Sequence, residues 1–308
     1  MESEKQTYEK LTLKQVLGFA APNTWTASVL PVIFGVVLSY VQKGSWDPLM
    51  SVCLLLISVL MQSAVNTLND YFDYVKNTDT LENCDDPSEA ILVYHRLNPK
   101  TVLQLGLFFL GFAALLGVWV VIKAGFAPLI IGVIGGVVVI LYSFGKLPIS
   151  YLPLGELVSG FVMGGLIPMA IFSALTREID YTVLLYALPF ILSIALLMNT
   201  NNICDIEKDA PAGKKTIPVL LGRGRSRGLY ACVLVANILY VGCIVLICFP
   251  KGALLLLPVF AFDIYFIVKQ LQLSLGAEVR KRSMAGIVRI NLILGLGYTA
   301  AILLHGFL

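Results

Sequence analysis

The constraint that dominates this chain is a succession of long apolar runs that no single water-soluble core would hold. The runs are Val16–Tyr40, Leu49–Leu68, Val102–Ile122, Phe126–Tyr142, Leu154–Leu175, Tyr181–Thr200, Leu229–Phe249, Ala253–Val268 and Ala285–Leu304. A helix that crosses a bilayer needs about 20 mostly apolar residues. Inside lipid the backbone must satisfy its own hydrogen bonds, which leaves helices and closed barrels as the spanning structures. Runs of this length are helical, so the expected fold is all-α: an integral membrane bundle of nine transmembrane helices. Hydrophobic residues make up 58% of the chain and charged residues 13%, whereas a soluble domain has about 45–50% and about 25%. Residues 16–308 read as one transmembrane domain, and the polar segment 1–15 precedes it.

The basic residues are unevenly placed between the runs. All but four of the 22 Lys and Arg residues fall on the side of the N-terminus, the exceptions being Lys43, Lys123, Arg177 and Lys251. Positive charge is retained on the cytoplasmic side. The N-terminus and the two long polar segments, Tyr71–Lys100 and Ile203–Gly228, are therefore expected in the cytoplasm. The first fifteen residues lack a basic and then apolar leader, so no cleaved signal peptide is expected. A net charge of +3 without a basic stripe gives no nucleic-acid surface. Six cysteines show no CxxC pairing; reduced thiols are expected, Cys84 and Cys204 in the cytosol and Cys53, Cys232, Cys243 and Cys248 in apolar runs. His95 and His305 share no zinc-ligand spacing. Pro22, Pro31, Pro168 and Pro189 are expected to kink their helices. Gly160 and Gly164, and Gly132, Gly135 and Gly136, are expected to allow close helix packing.

Chemistry concentrates at two places. The second run leads into Asn66-Thr-Leu-Asn69-Asp70-Tyr-Phe-Asp73, with Asp79 further on. If the helix continues, Asn66, Asp70 and Asp73 share one face by their spacing. The sixth run leads into Asn199-Thr-Asn201-Asn202-Ile-Cys-Asp205-Ile-Glu207-Lys-Asp209, where Asn202, Asp205 and Asp209 again share one face by helical spacing. Carboxylates at the end of a membrane helix are costly unless something pairs with them. Hard oxygen donors suit Mg²⁺, which takes one or two carboxylates together with substrate phosphates. Two facing clusters of this kind fit Mg²⁺ ions bridging to a diphosphate whose tail is greasy enough to lie in the membrane. Lys214 and Lys215 are candidate diphosphate contacts, although positive-inside charge explains them as well. Gly213-Lys214-Lys215-Thr216 lacks the spacing of a P-loop. Arg225 and Arg227 read as juxtamembrane charge.

The pair NDYFDYVKNTD and NNICDIEKDAPAGKKTIPVLLG resembles the two Asp-rich motifs of the UbiA superfamily of intramembrane prenyltransferases. Tyr142-Ser143, followed by Pro148-Ile-Ser-Tyr151-x-x-Leu-Gly155-Glu156, is similar to a loop of its MenA-type branch. So is Pro22-Asn-Thr-Trp-Thr-Ala-Ser-Val-Leu-Pro31-Val-Ile-Phe-Gly35. The resemblance runs from about Leu17 to Gly222. It implies a nine-helix bundle with a central cavity open toward lipid and capped by the cytoplasmic Asp-rich loops. It also implies transfer of a polyprenyl group from polyprenyl diphosphate to 1,4-dihydroxy-2-naphthoate, with release of diphosphate and CO₂ to give demethylmenaquinol.

Carried onto this sequence, the resemblance puts one Mg²⁺ on Asn66, Asp70, Asp73 and Asp79 and another on Asn202, Asp205 and Asp209. Lys214 would contact the diphosphate. Negative charge developing on the leaving group is what Mg²⁺ and Lys stabilise. Tyr142 and Tyr71 are the candidate rings facing the allyl cation, although an interfacial aromatic belt also places Tyr at that depth. Glu156 is a candidate to orient or deprotonate the acceptor, or equally a helix cap. Asn69, Tyr71, Lys146, Tyr151 and Lys215 complete the candidate substrate-binding set. Two positions depart from the branch: Cys204 stands where many members have Arg, and the segment from Glu82 to Glu89 is acidic where members are often basic. Acceptors such as 1,4-dihydroxy-6-naphthoate or 4-hydroxybenzoate therefore stay open. The alternative of another class is a secondary transporter, whose site lies near the bilayer midplane; Asp263 is its one candidate carboxylate, a helix–helix hydrogen bond being the simpler expectation for it.

Overall fold

A computed structural model describes residues 8–82 and 90–308. Cys84 and the acidic run at 83–89 lie outside the described residues. Among those described there is no strand, only an isolated bridge between Glu9 and Leu97. The helices are α1 Leu13–Ala20, α2 Thr26–Lys43, α3 Pro48–Val75, α4 Pro99–Ala124 and α5 Ala127–Ser143, then α6 Gly155–Thr176, α7 Thr182–Cys204, α8 Ile217–Cys248, α9 Leu256–Leu271 and α10 Arg280–Phe307. Eight of the segments are long and apolar enough to cross a membrane, α9 together with the 3₁₀ turn that leads into it, and α5 is a shorter apolar helix. The expected nine spans are thus α2 to α10.

The first apolar run departs from its expectation. It is broken into α1 and α2 by Ala21, which takes the left-handed conformation (φ 47°), and by a 3₁₀ turn over Pro22–Thr24. Proline disfavours helical backbone in the residue before it and cannot donate to the preceding turn, so Pro22 ends a helix rather than kinking one. Trp25 Nε1 and Asn66 Nδ2 both donate to the Ala20 carbonyl freed there, at 3.0 and 3.1 Å. The second polar segment is also shorter than expected. Helix resumes at Ile217 and bends at Gly222 (φ 75°), so Arg223 to Gly228 are helical.

The centre of the bundle is an aromatic contact between three helices. Phe34 of α2 lies 4.7 Å from Phe190 of α7 and 5.7 Å from Tyr298 of α10, centroid to centroid. Burying rings of this size is a large part of what holds such a core together. In α6 a π-helical stretch over Gly160–Leu166 faces α7. Gly160 and Gly164 do allow close packing there, because a Cβ on Gly164 would stand 2.6 Å from Ile191 Cα. Gly132 and Gly136, by contrast, have nothing within 4 Å of a built Cβ; they face outward and bring no helix closer. Asp263 is fully buried in α9, and neither carboxylate oxygen has a hydrogen-bond partner among the described residues. The helix–helix hydrogen bond expected for it is not formed.

Gly164→Ala should lower the thermal midpoint of the purified protein, at a cost of about 1–3 kcal/mol from overpacking. Gly136→Ala, with open space at its Cβ, serves as the control and should be neutral or stabilising when the two are melted in the same detergent.

Candidate active site between the two acidic motifs

Asp47 caps α3 through Met50 N at 3.0 Å, and Pro48 occupies the first turn. Beyond Pro48 no Gly or Pro interrupts this 28-residue helix. At about 1.5 Å per residue this helix outruns the hydrocarbon core, and its last turns carry the first motif beyond it. Asn66, Asp70 and Asp73 therefore do lie on one continuous helix. Beyond Val75 the chain turns sharply at Asn77 (φ 55°), and Thr78 N and Asp79 N both donate to Asp73 O, at 2.9 and 3.2 Å. Asp79 is thereby folded back toward the helix end.

The second motif is built differently from its expectation. Helix α7 stops at Cys204, Asp205 leaves helical geometry (φ −100°, ψ 12°), and a single turn follows at Ile206–Asp209. Asn202, Asp205 and Asp209 are not on one unbroken helix face. Gly213 (φ 78°) reverses the chain, and Lys214 N donates to Asp209 O at 3.1 Å. A residue with a Cβ is strained at that φ. The reversal carries Lys214 Nζ to 3.0 Å from Asp209 Oδ1 and 3.9 Å from Asp73 Oδ2. Lys208 Nζ meets Asp79 Oδ1 at 2.6 Å. The contacts Lys214–Asp73 and Lys208–Asp79 join the two motifs, whereas Lys214–Asp209 lies within the second.

These groups are largely withdrawn from water. Asp209 is 2% exposed and Asp73 8%. Burial raises the Asp209 carboxyl above its usual range, against the opposing pull of Lys214. Burial alone would lower the Lys214 ammonium, but Asp73 and Asp209 together outweigh it and hold it above its ordinary value. Lys76 shows the reverse: burial and Lys214 lower it, and Asp73 opposes them.

A second chain of contacts reaches α5 and the loop after it. Asn69 Nδ2 donates to Asp73 Oδ2 at 3.0 Å, and Asn69 Oδ1 accepts from Ser143 Oγ at 2.9 Å. The Ser143 carbonyl accepts from Lys76 Nζ at 2.8 Å. Tyr151 bonds Thr78 through its hydroxyl at 2.8 Å, and its carbonyl accepts from Lys215 N at 2.8 Å. Tyr142 faces Ser159, within electrostatic reach of Glu156, Lys214 and Asp73. Glu156 is 2% exposed and accepts from Asn202 Nδ2 at 2.9 Å. It stands in the first turn of α6, within reach of its own backbone N–H.

Other candidates lie elsewhere or serve differently. Asn66 spends its amide on Ala20 O and Thr24 Oγ1, while its oxygen accepts from Gln62. Its visible work is to pin the α1–α2 break. Tyr71 packs with Phe19, Ile91, Leu92, Leu97 and Val102. The Lys146 and Lys215 side chains are exposed. Asp70 is half-buried on α3. Asp205 is held by Arg280 Nε at 2.9 Å, and Arg280 Nη2 also donates to Asn201 Oδ1 at 2.6 Å.

Arg280, Lys208 and Lys76 were not anticipated. Lys76 and Lys208 stand beside the motifs and were open to such a reading. Arg280 comes from α10, more than seventy positions from Asp205, and no local pattern announces it. Among the described residues no three His, Cys, Asp or Glu side chains gather as a metal site. The donor set nevertheless suits a hard cation: Asp73, Asp79 and Asp209 offer buried carboxylates from both motifs, all now neutralised by lysines.

The UbiA prenyltransferase family model matches residues 28–293. The 1,4-dihydroxy-2-naphthoate octaprenyltransferase of Bacillus subtilis is 35% identical over 241 residues, which cover 77% of this chain and 76% of that protein. The enzyme of the same name from Haemophilus influenzae is 31% identical over 243 residues, 77% of each chain. In three dimensions, a UbiA homologue from Archaeoglobus fulgidus bound to DMAPP and Mg2+ superposes with a TM-score of 0.65 at 14% identity, over 93% of this chain and 98% of that one. That likeness establishes the fold. The match to the family and to its naphthoate enzymes, on a multi-pass membrane bundle with both acidic motifs face to face, shows that this chain belongs to the UbiA prenyltransferase family and is a prenyltransferase.

Proposed function

We propose that the protein transfers a polyprenyl group from polyprenyl diphosphate to 1,4-dihydroxy-2-naphthoate, releasing diphosphate and CO₂ to give demethylmenaquinol. The observation that carries this reading is the convergence of Asp73 and Asp209, one from each motif, on Lys214. The naphthoate enzymes among the relatives support the choice of acceptor. Residues 16–308 act as one catalytic domain in the cell membrane. The distribution of Lys and Arg supports an active site and a 1–15 segment on the cytoplasmic side.

In this reading Asn66, Asp70, Asp73 and Asp79 would hold one Mg²⁺ on the first motif, and Asn202, Asp205 and Asp209 would hold another on the second. When bound, Mg²⁺ supplies Lewis-acid stabilisation of the charge that develops on the diphosphate. Lys214 adds a fixed positive charge at the same place, already oriented by its two carboxylates. The allylic C–O bond breaks, and its electron pair leaves with the diphosphate. A ring carbon of the acceptor forms the new C–C bond. The carboxylate departs as CO₂, and its bonding pair stays with the ring, restoring aromaticity. Tyr142 presents a ring to the cation, and Glu156, fixed by Asn202, orients the acceptor.

The purified protein with Mg²⁺, a long prenyl diphosphate and three competing acceptors should yield a decarboxylated prenyl-naphthoquinol from 1,4-dihydroxy-2-naphthoate, read by mass. Product from 1,4-dihydroxy-6-naphthoate or 4-hydroxybenzoate instead would move the acceptor, and no product would overturn the proposal. EDTA should stop the reaction. Asp73→Asn or Asp209→Asn should lower kcat/KM by about 100-fold or more, with circular dichroism unchanged. Lys214→Gln should lower the thermal midpoint in EDTA, because it leaves buried carboxylates unpaired at a cost of about 3 kcal/mol. Added Mg²⁺ should recover part of that loss; a midpoint indifferent to both would remove the claim that the lysine and the metal share these carboxylates.

A further inference from the structure

Lys76 caps the C-terminus of α3 and has no role in the proposed chemistry. Its ammonium donates to the Ser143 carbonyl at 2.8 Å. It also lies 4.9 Å from the centroid of the Tyr151 ring and 5.7 Å from that of Phe72. Phe144 meets Phe72 edge to face at 5.6 Å. Lys214, Lys208 and Arg280 are each paired with an aspartate. Lys76 has no carboxylate partner among the described residues. A half-buried ammonium with one carbonyl acceptor keeps donors available and leaves its charge uncompensated. Lys214 sits 5.5 Å from the centroid of the same Tyr151 ring, but its charge is taken up by Asp73 and Asp209.

Resting on the reading above, we propose that Lys76 binds the carboxylate of the aromatic acceptor, with Tyr151, Phe72 and Phe144 forming the wall against which its ring lies. A single ammonium among three aromatic rings matches a planar aromatic monoanion: the rings take the apolar face and the cation takes the one charge. A diphosphate carries several charges and is served by the opposite pole, where Asp73, Asp209 and Lys214 converge. The two poles are tied together through Lys76, the Ser143 carbonyl and hydroxyl, Asn69 and Asp73. Tyr151 is fixed by Thr78 and by Lys215 N, which holds the wall in place before the acceptor arrives.

The experiment compares wild type, Lys76→Gln and Lys76→Arg in two ways. Equilibrium binding under anaerobic conditions is measured for 1,4-dihydroxy-2-naphthoate and for 1,4-dihydroxynaphthalene, which lacks the carboxylate. Steady-state KM is measured for the acceptor and for the prenyl diphosphate separately. Wild type should prefer the carboxylate form by about tenfold or more, as a charge-assisted hydrogen bond gives. Lys76→Gln should lose that preference and raise the acceptor KM by a similar factor, with the prenyl diphosphate KM unchanged. Lys76→Arg should retain most of the preference, which separates lost charge from lost fold. A carboxylate preference that survives in Lys76→Gln overturns the assignment, as does a rise confined to the prenyl diphosphate KM. If wild type transfers prenyl groups to no aromatic acid, the proposed function fails, and the binding comparison still decides the role of Lys76.

Discussion

Asp73 and Asp209 are nearly excluded from water, and two carboxylates brought toward one another in that setting repel and lose hydration together. Lys214 lies between them, and its charge makes their approach tolerable. The arrangement of both motifs follows from this contact. Helix α3 must be long enough to lift Asp73 out of the bilayer, α7 must end at Cys204 so that the chain can turn, and Gly213 must reverse it. Asp79 and Lys208 repeat the device one step further out. The Lys214–Asp73 and Lys208–Asp79 contacts cross from motif to motif, so the halves of the site are held together before any substrate arrives.

The same arrangement suits the metal of the proposed function. Charges already gathered and desolvated need little rearrangement when a divalent cation replaces ammonium as the counter-charge. Arg280 adds a third hold by fixing Asp205 and Asn201 from the start of α10. The last helix of the bundle is thereby coupled to the second motif. Cys204, beside Asp205, is fully buried in an apolar cluster, and guanidinium groups reach this motif from Arg280 of α10 and Arg223 of α8.

Away from the site the bundle relies on surface matching rather than on charge. The π-helical stretch of α6 and its glycines let α7 approach to backbone contact, and α7 carries the second motif. The aromatic contact of Phe34, Phe190 and Tyr298 joins α2, α7 and α10. Asp263 is the exception, a buried carboxyl without a partner among the described residues. It lies in α9, whereas the charged groups that converge all stand near the ends of α3, α7 and α10.

Hydrophobic run length determined the nine spans, because lipid imposes its thickness on the sequence one helix at a time. The first motif was legible for a related reason: nothing in the sequence stops α3 before Val75, so the spacing of Asn66, Asp70 and Asp73 translated directly into one face. The local signals also said that carboxylates and lysines meet near two helix ends. They did not say which meets which. The end of α7 at Cys204, the positive φ at Gly213 and the crossing of Lys208 and Lys214 between motifs depend on how two distant helix ends dock. Asn66 also ties the first motif to the break at Ala21 through its Nδ2, a contact no local pattern announces. Arg280 reaches Asp205 only because α10 packs against α7. A single sequence records propensities over a few turns, whereas the pairing of charges is set by distances that exist only after the helices have packed.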